Sequence, residues 1–250
     1  MKFFLAPAKN MRPAPAAAGR PLQRPRFQRE ADRLAEDLRR YSAWELEGLL
    51  RVNSSIAWRA FSDYQSFSSA GPGSPALLAY SGLAYTHLAP DSFTPEDLAF
   101  AENRLFILSA LYGLLGPSDE IFPHRLELQI PYRYQGQTLY QFWGEKPCRA
   151  LFSGGETVVN LASAEYARLI LPFLQRGERL IQCVFCEYRG RRRVTLPTFA
   201  KMARGAMARF IIRRRLTDAR QLWDFQAFGY AFVPGFSDEE RYVFVRREEG

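Results

Sequence analysis

The sequence predicts a mixed α/β fold built as one large domain, and three observations lead there. Short apolar runs bounded by Pro, Gly or turn residues alternate with stretches whose apolar residues recur every three to four positions. No stretch in the middle of the 250 residues has the composition of a linker. Hydrophobic residues make up 47% of the chain and aromatic residues 14%, enough for a substantial core.

Taken in order, Lys2 to Ala6 reads as a buried strand ended by Pro7. Residues 11–26, rich in Pro, Ala and Arg, read as a mobile loop. Two helical patterns follow within residues 27–61, Phe27 to Arg40 and Ala43 to Ala60, joined at Tyr41-Ser42; Ser42 and Glu45 have the spacing of a capping box. Ala76 to Tyr80 reads as a strand after the breaker cluster GPGSP. Thr94-Pro95-Glu96-Asp97 opens a helix, with an N-cap, Pro at the first position and acids in the first turn; its pattern runs on to Leu115 or breaks near Ser109. Leu139 to Leu151 is expected as helix, Thr157 to Leu161 as strand and Ser163 to Leu174 as helix. Leu180 to Tyr188 and Arg191 to Leu196 should form a hairpin, and aromatic strands at Tyr230 to Val233 and Arg241 to Arg246 close the chain.

Charge is concentrated rather than spread. The whole chain carries +8, yet Glu187 to Arg215 alone holds ten basic residues and one acid. Such a patch suits phosphate-bearing partners, nucleic acid before an anionic membrane surface. Three cysteines make no disulfide framework, the N-terminal apolar run is too short for a signal-peptide core, and no segment approaches the length of a membrane span, so a cytoplasmic protein without membrane contact is expected.

The basic patch centres on FAKMARGAMARFIIRRRL, Phe199 to Leu216, where Phe199, Met202, Ala203, Ala206, Met207, Phe210 and Ile211 mark the apolar face of a helix. Thr198 is the expected N-cap, which places Lys201 in the first turn, against the helix dipole. Lys201, Arg204, Gly205, Ala208 and Arg215 share an arc of about 100°. Cations beside two residues of almost no side chain let a polyanion's backbone come close. Arg209 and the hairpin residues Arg191, Arg192 and Arg193 add to the expected phosphate contacts. An ordinary solvated face has the same appearance, and both readings stand at this point.

Motifs for chemistry are few. Cys183 and Cys186 form a CxxC, but on a strand residues three apart point to opposite faces. His87 and His124 are the only histidines, and no Walker, dinucleotide or nucleophile-elbow motif is present, so neither metal nor cofactor is expected. The polar groups that look placed are Lys9 beyond the first strand, the string His124, Arg125, Glu127, and Ser163 with Glu165 after the strand VVNLA. Positions just beyond strand ends line the ligand crevice of an open α/β sheet. Ser163 and Glu165 would equally serve a helix as its own cap.

Asn160-Leu161-Ala162-Ser163-x-Glu165-Tyr166 and Leu108-Ser109-x-Leu111-Tyr112-Gly113-Leu114-Leu115 resemble signature motifs of the YaaA family, bacterial peroxide-stress-resistance proteins. So do Arg125-Leu126-Glu127, Leu139-Tyr140-x-Phe142-Trp143-Gly144, Ala200-Lys201-x-Ala203-Arg204-Gly205-x-Met207-x-Arg209-Phe210 and Phe225-x3-Gly229-Tyr230, in family order. The resemblance implies an intracellular protein with a central mixed sheet flanked by helices, linked to survival of hydrogen peroxide by limiting free iron and oxidative damage to DNA. It also implies a helix-hairpin-helix element, which would fall on the helical pair around Tyr41-Ser42, and a basic DNA-binding cleft walled by Lys201, Arg204 and Arg209. The chain departs from the family pattern at Ala6, Leu83, Gly116 and His124, where Ser, Asp, Arg and Tyr are usual.

Two functions follow. In the first the protein holds DNA through backbone phosphates, without sequence specificity. In the second it is an enzyme acting on a phosphorylated nucleoside or nucleic acid, with Glu127 or Glu165 as general base and Lys9, Arg125 and Lys201 stabilising negative charge. Convergence of these residues in one enclosed pocket, with a carboxylate of raised pKa, favours the second; dispersal over the surface would sink it. Two histidines and no acidic cluster supply few ligands for iron.

Overall fold

A computed structural model describes residues 1–16, 20–68, 71–190 and 192–246. Lys2-Phe3-Phe4-Leu5 is buried at every position, as a strand covered on both faces must be, and forms β1 (Lys2–Leu5) at the middle of the main sheet. The other strands of that sheet are β2 (Leu105–Ser109), β3 (Gly113–Leu115), β4 (Val158–Asn160), β5 (Leu180–Arg189), β6 (Arg192–Val194), β7 (Tyr230–Phe232) and β8 (Arg241–Arg246). Their order is β7-β8-β5-β4-β1-β2-β3, with β6 paired to β5 off this path. β8, β5, β4, β1 and β2 run parallel, whereas β3, β6 and β7 are antiparallel to their partners. Helices flank this mixed sheet, which is the α/β architecture that the sequence predicts.

In the sheet β2 lies on one flank of β1 and β4 then β5 on the other, so right-handed crossovers put the β1–β2 and β4–β5 connections on opposite faces. The connections therefore diverge between the C-terminal ends of β1 and β4, the place where open parallel sheets bind ligands.

Several elements differ from the sequence reading. Leu105–Ser109 is a strand, not the continuation of the Pro95–Glu102 helix. An apolar run of five fits either state, and pairing of Leu105 to Phe3 in the sheet decides it. Ala76–Ala79 is a single helical turn instead of a strand. The expected helix from Leu139 to Leu151 is cut in two at Gly144, whose φ of 50° breaks the helical path. Only Ala164–Ala167 of the expected Ser163 to Leu174 helix is α-helical.

Residues 27–61 belong to three helices rather than a pair: Gln28–Leu38, Ala43–Leu50 and Ser54–Gln65. Ser42 and Glu45 form the capping box at the first corner. The second corner has Arg51 in the left-handed region, φ 52°, followed by Asn53, which accepts from the Ile56 N–H as N-cap. The pair about Tyr41-Ser42 expected as a helix-hairpin-helix is thus a three-helix run with two corners. In the loop segment the described residues after Met11 hold no helix; Arg12 donates to the Leu78 carbonyl, and Gln23 exchanges backbone bonds with Ser118 and Glu120.

The basic helix spans Pro197–Arg214, begins at Pro197 with Leu196 as N-cap, and so sets Lys201 fifth rather than in a turn capped by Thr198. Its buried side is Ala200, Ala203, Met207, Ala208, Ile211 and Ile212, while Phe199, Met202, Ala206 and Phe210 are half-buried. Gly205 is buried too. A Cβ there would lie 1.9 Å from the Ala84 carbonyl oxygen, because the short Leu83–Leu88 helix packs against this position. The groove of small residues assigned to a polyanion is filled by the protein itself, and Gly205 is not a phosphate contact.

Candidate functional site

A cavity of ≈ 280 Å³ opens where the connections diverge. Every polar residue that the sequence singles out beyond the strand ends lines it: Lys9 after β1, His124, Arg125 and Glu127 on the segment following β3, and Ser163 and Glu165 after β4. Lys201 and Arg204 close one side from the Pro197–Arg214 helix. Tyr80, Tyr85 and Tyr166 supply aromatic wall. These tyrosines carried no spacing signal of their own, since their distance from the polar set is bridged only by the fold.

The two carboxylates have different surroundings. Glu127 is clamped between cations, 2.7 Å from Lys9 Nζ and 3.0 Å from an Arg125 nitrogen, and Arg125 also donates to the Lys9 carbonyl. Among the described residues no cation is bonded to Glu165. It accepts from the Leu128 backbone N–H at 3.1 Å, 37 positions away, instead of serving its own helix, and Ser163 makes no cap bond either. Burial, with Glu127 close by, raises the Glu165 pKa above the ordinary glutamate value, while the backbone N–H groups and Lys9 pull the other way. Two neighbouring carboxylates in unlike surroundings, one ion-paired to Lys9 and Arg125 and one buried with its pKa raised, are an arrangement that acid–base chemistry can use. The helix-cap reading of Ser163 and Glu165 is not what the side chains do.

His124 is buried, and its Nδ1 lies 2.8 Å from the Phe122 carbonyl, so Nδ1 carries the proton of a neutral ring. Burial pushes its pKa down to about 4, the Phe122 contact opposing. An unfolded histidine, near 6.5, takes up a proton first, so His124 costs the fold roughly 3 kcal/mol as pH falls from about 6.5 to about 4. Asp119, also buried, works in the opposite sense. Burial pushes it up to about 6 against an unfolded value of 3.8; the Gly116 N–H and Arg26 lower it, and Glu102 raises it. The folded state then takes up the proton first, and roughly 3 kcal/mol is gained between about pH 6 and 4. The two contributions offset one another. Asp119→Asn should therefore be more stable than wild type at pH 7 and should lose on the order of 2 kcal/mol by pH 4.5 that the wild type keeps; urea titrations at the two pH values would refute this by giving parallel losses.

Other candidates lie elsewhere. Arg209 is spent inside the fold, donating to the carbonyls of Leu88 and Ala89 and to Ser92 Oγ, and it does not line the cavity. Arg213 is paired with buried Asp97 at 2.8 Å. Arg192 and Arg193 are exposed on β6, with Arg193 over the Phe236 ring; Arg191 lies outside the described residues. Cys183 and Cys186 belong to different apolar clusters on opposite faces of β5, and burial raises both thiols, Cys183 to about 12. Of the four departures from the family pattern, Ala6, Leu83 and His124 line the cavity and Gly116 does not.

Among the described residues no helix is long and apolar enough to cross a membrane. The chain is 39% identical over 250 residues to a UPF0246 protein of Lactobacillus delbrueckii subsp. bulgaricus, covering 99% of this chain and all of the relative. A UPF0246 protein of Desulfitobacterium hafniense is 35% identical over 247 residues, with 98% of each covered. The family model described as peroxide stress protein YaaA matches residues 1–235. With that match along nearly its whole length, the chain belongs to the peroxide stress protein YaaA family.

Proposed function

We propose that the cavity binds a small phosphorylated nucleoside and performs acid–base chemistry on it, in the cytoplasm and as part of the peroxide-stress role of the family. The observation that carries this reading is convergence: Lys9, Arg125, Glu127, Glu165 and Lys201 come from four separate stretches of chain and line one cavity. Glu165 is the proton carrier. Glu127, ion-paired with Lys9 and Arg125, accepts hydrogen bonds from ligand hydroxyl or amino groups. The tyrosine wall gives a base an aromatic surface.

Glu165→Gln is expected to bind substrate but to lose turnover by about 10²- to 10⁴-fold, the range of a general acid or base. A panel of nucleoside mono-, di- and triphosphates followed by chromatography over pH 5–9 makes the test. If the wild-type protein leaves every member unchanged, the enzymatic reading fails.

DNA binding is the second reading, and one observation favours it: Lys201 and Arg192 are exposed near the cavity's helix and hairpin, and neither is in an ion pair among the described residues. Holding duplex DNA there would shield it from iron-dependent oxidation. Each phosphate these cations neutralise adds about one unit to the salt slope of binding, so binding as tight at 300 mM as at 50 mM salt would end this reading.

A further inference from the structure

Arginine side chains in this protein have partners almost wherever they are buried. Arg125 and Arg149 each have a sealed Nε, yet their other nitrogens reach Glu127 and Glu178. Arg204 differs. Its Nε is buried without a hydrogen bond, and the guanidinium makes no hydrogen bond and no ion pair with any described residue. Burial lowers its pKa, and the titratable groups around it, Cys183 and Tyr230, offer no charge, because burial pushes both to about 12. The group is nonetheless a permanent cation. Arg204 is half-buried with its Nε sealed, and withdrawing part of an unpaired cation from water is unfavourable unless a counter-charge meets it; Arg204 lines the cavity.

We propose that Arg204 is the anion receptor of this cavity and that its ligand is a small phosphomonoester, the phosphate seated on the guanidinium and the rest of the molecule extending toward Glu127 and Glu165. Other basic residues of the same helix are occupied: Arg209 by the carbonyls of Leu88 and Ala89, Arg213 by Asp97, and Arg214 lies over Phe210. Lys201, one turn earlier and exposed, stands at the rim, where it attracts the anion without being buried with it. A planar fork with free donors matches a phosphate's oxygens two at a time. This assignment rests on the cavity being a small-molecule site, but not on which proton is moved there.

Thermal unfolding of wild type, Arg204→Met, Arg204→Lys and Glu165→Gln, each with adenosine 5′-monophosphate, adenosine, inorganic phosphate or a short DNA duplex, tests it. In wild type the monophosphate is expected to raise Tm clearly, phosphate less and adenosine least. Without ligand, Arg204→Met should melt higher than wild type by about 2–4 °C, since it removes an uncompensated cation, and its monophosphate response should vanish. Arg204→Lys should respond weakly. A monophosphate response of full size in Arg204→Met overturns the assignment, and its loss in Glu165→Gln alongside would leave the cavity reading standing by itself. Should Arg204→Met fail to fold, a full response in Arg204→Lys overturns it equally. Response to the duplex alone overturns it in favour of nucleic acid, and no response of wild type to either phosphate-bearing probe overturns it outright, while turnover in the nucleotide panel is scored separately.

Discussion

Gly205→Val should destabilise the protein by at least ~3 kcal/mol, the upper end of the overpacking range. The atom in the way is the Ala84 carbonyl oxygen, 1.9 Å from where a Cβ would sit, and the Ala84 carbonyl carbon and Cα follow at 2.8 and 3.0 Å. Backbone cannot rotate aside like a side chain. Relief requires the Leu83–Leu88 helix to move off the Pro197–Arg214 helix, which uncovers Ala208 and carries Leu83 and Ala84 out of the cavity wall. Even Gly205→Ala, which alone would gain about 1 kcal/mol in helix propensity, should lower stability. Urea denaturation measures both; an alanine variant as stable as wild type would show that the helix contact is looser than these distances.

Trp143→Ala should cost about 3–5 kcal/mol, as truncation of a fully buried indole does. Trp143 is fully buried, packs edge-on against Phe27 and Phe142 with ring centroids 5.7 and 5.1 Å away, and donates from Nε1 to the Ala110 carbonyl at 2.8 Å. Gly113, with φ of 70°, exists in this place because a Cβ would meet the indole at 2.6 Å. Truncation leaves a void and an unsatisfied carbonyl at the turn from β2 to β3. Trp143→Phe keeps much of the volume and should lose only about 1–3 kcal/mol, the share of the orphaned carbonyl. Equal losses in the two variants would assign the whole effect to the hydrogen bond.

Much of the sheet was legible because its strands announce themselves locally. Lys2–Leu5 and Arg241–Arg246 are apolar or alternating runs bounded by turn residues, and no helix of useful length fits between their punctuation. Leu105–Ser109 was not legible. It follows a well-capped helix with no breaker, and its state is set by pairing to Phe3, Phe4 and Leu5, a hundred positions earlier. The site divides in the same manner. Lys9, Glu127 and Glu165 could be picked out as polar groups beyond strand ends, because parallel sheets place such groups together. That Glu165 would turn from its own helix to the Leu128 N–H could not be read, nor that Gly205 faces Ala84 instead of solvent. Both depend on which elements become neighbours, and a glycine needed for close packing has the same letter as one needed for open space.

The strand order also decides when the cavity can exist. Arg125 follows Lys9 by 116 positions and Glu165 follows Leu128 by another 37, while the helix bearing Arg204 comes later still. At about 5–20 residues per second of synthesis, β1 waits roughly 5–20 s before β2, its first sheet neighbour, is made. Until Leu105–Ser109 is made, a strand buried on both faces in the finished sheet, Lys2-Phe3-Phe4-Leu5, has neither neighbour. Newly made chains therefore pass through a state in which a strand destined for full burial is uncovered, and damage or delay during synthesis falls on the same strand that anchors the site.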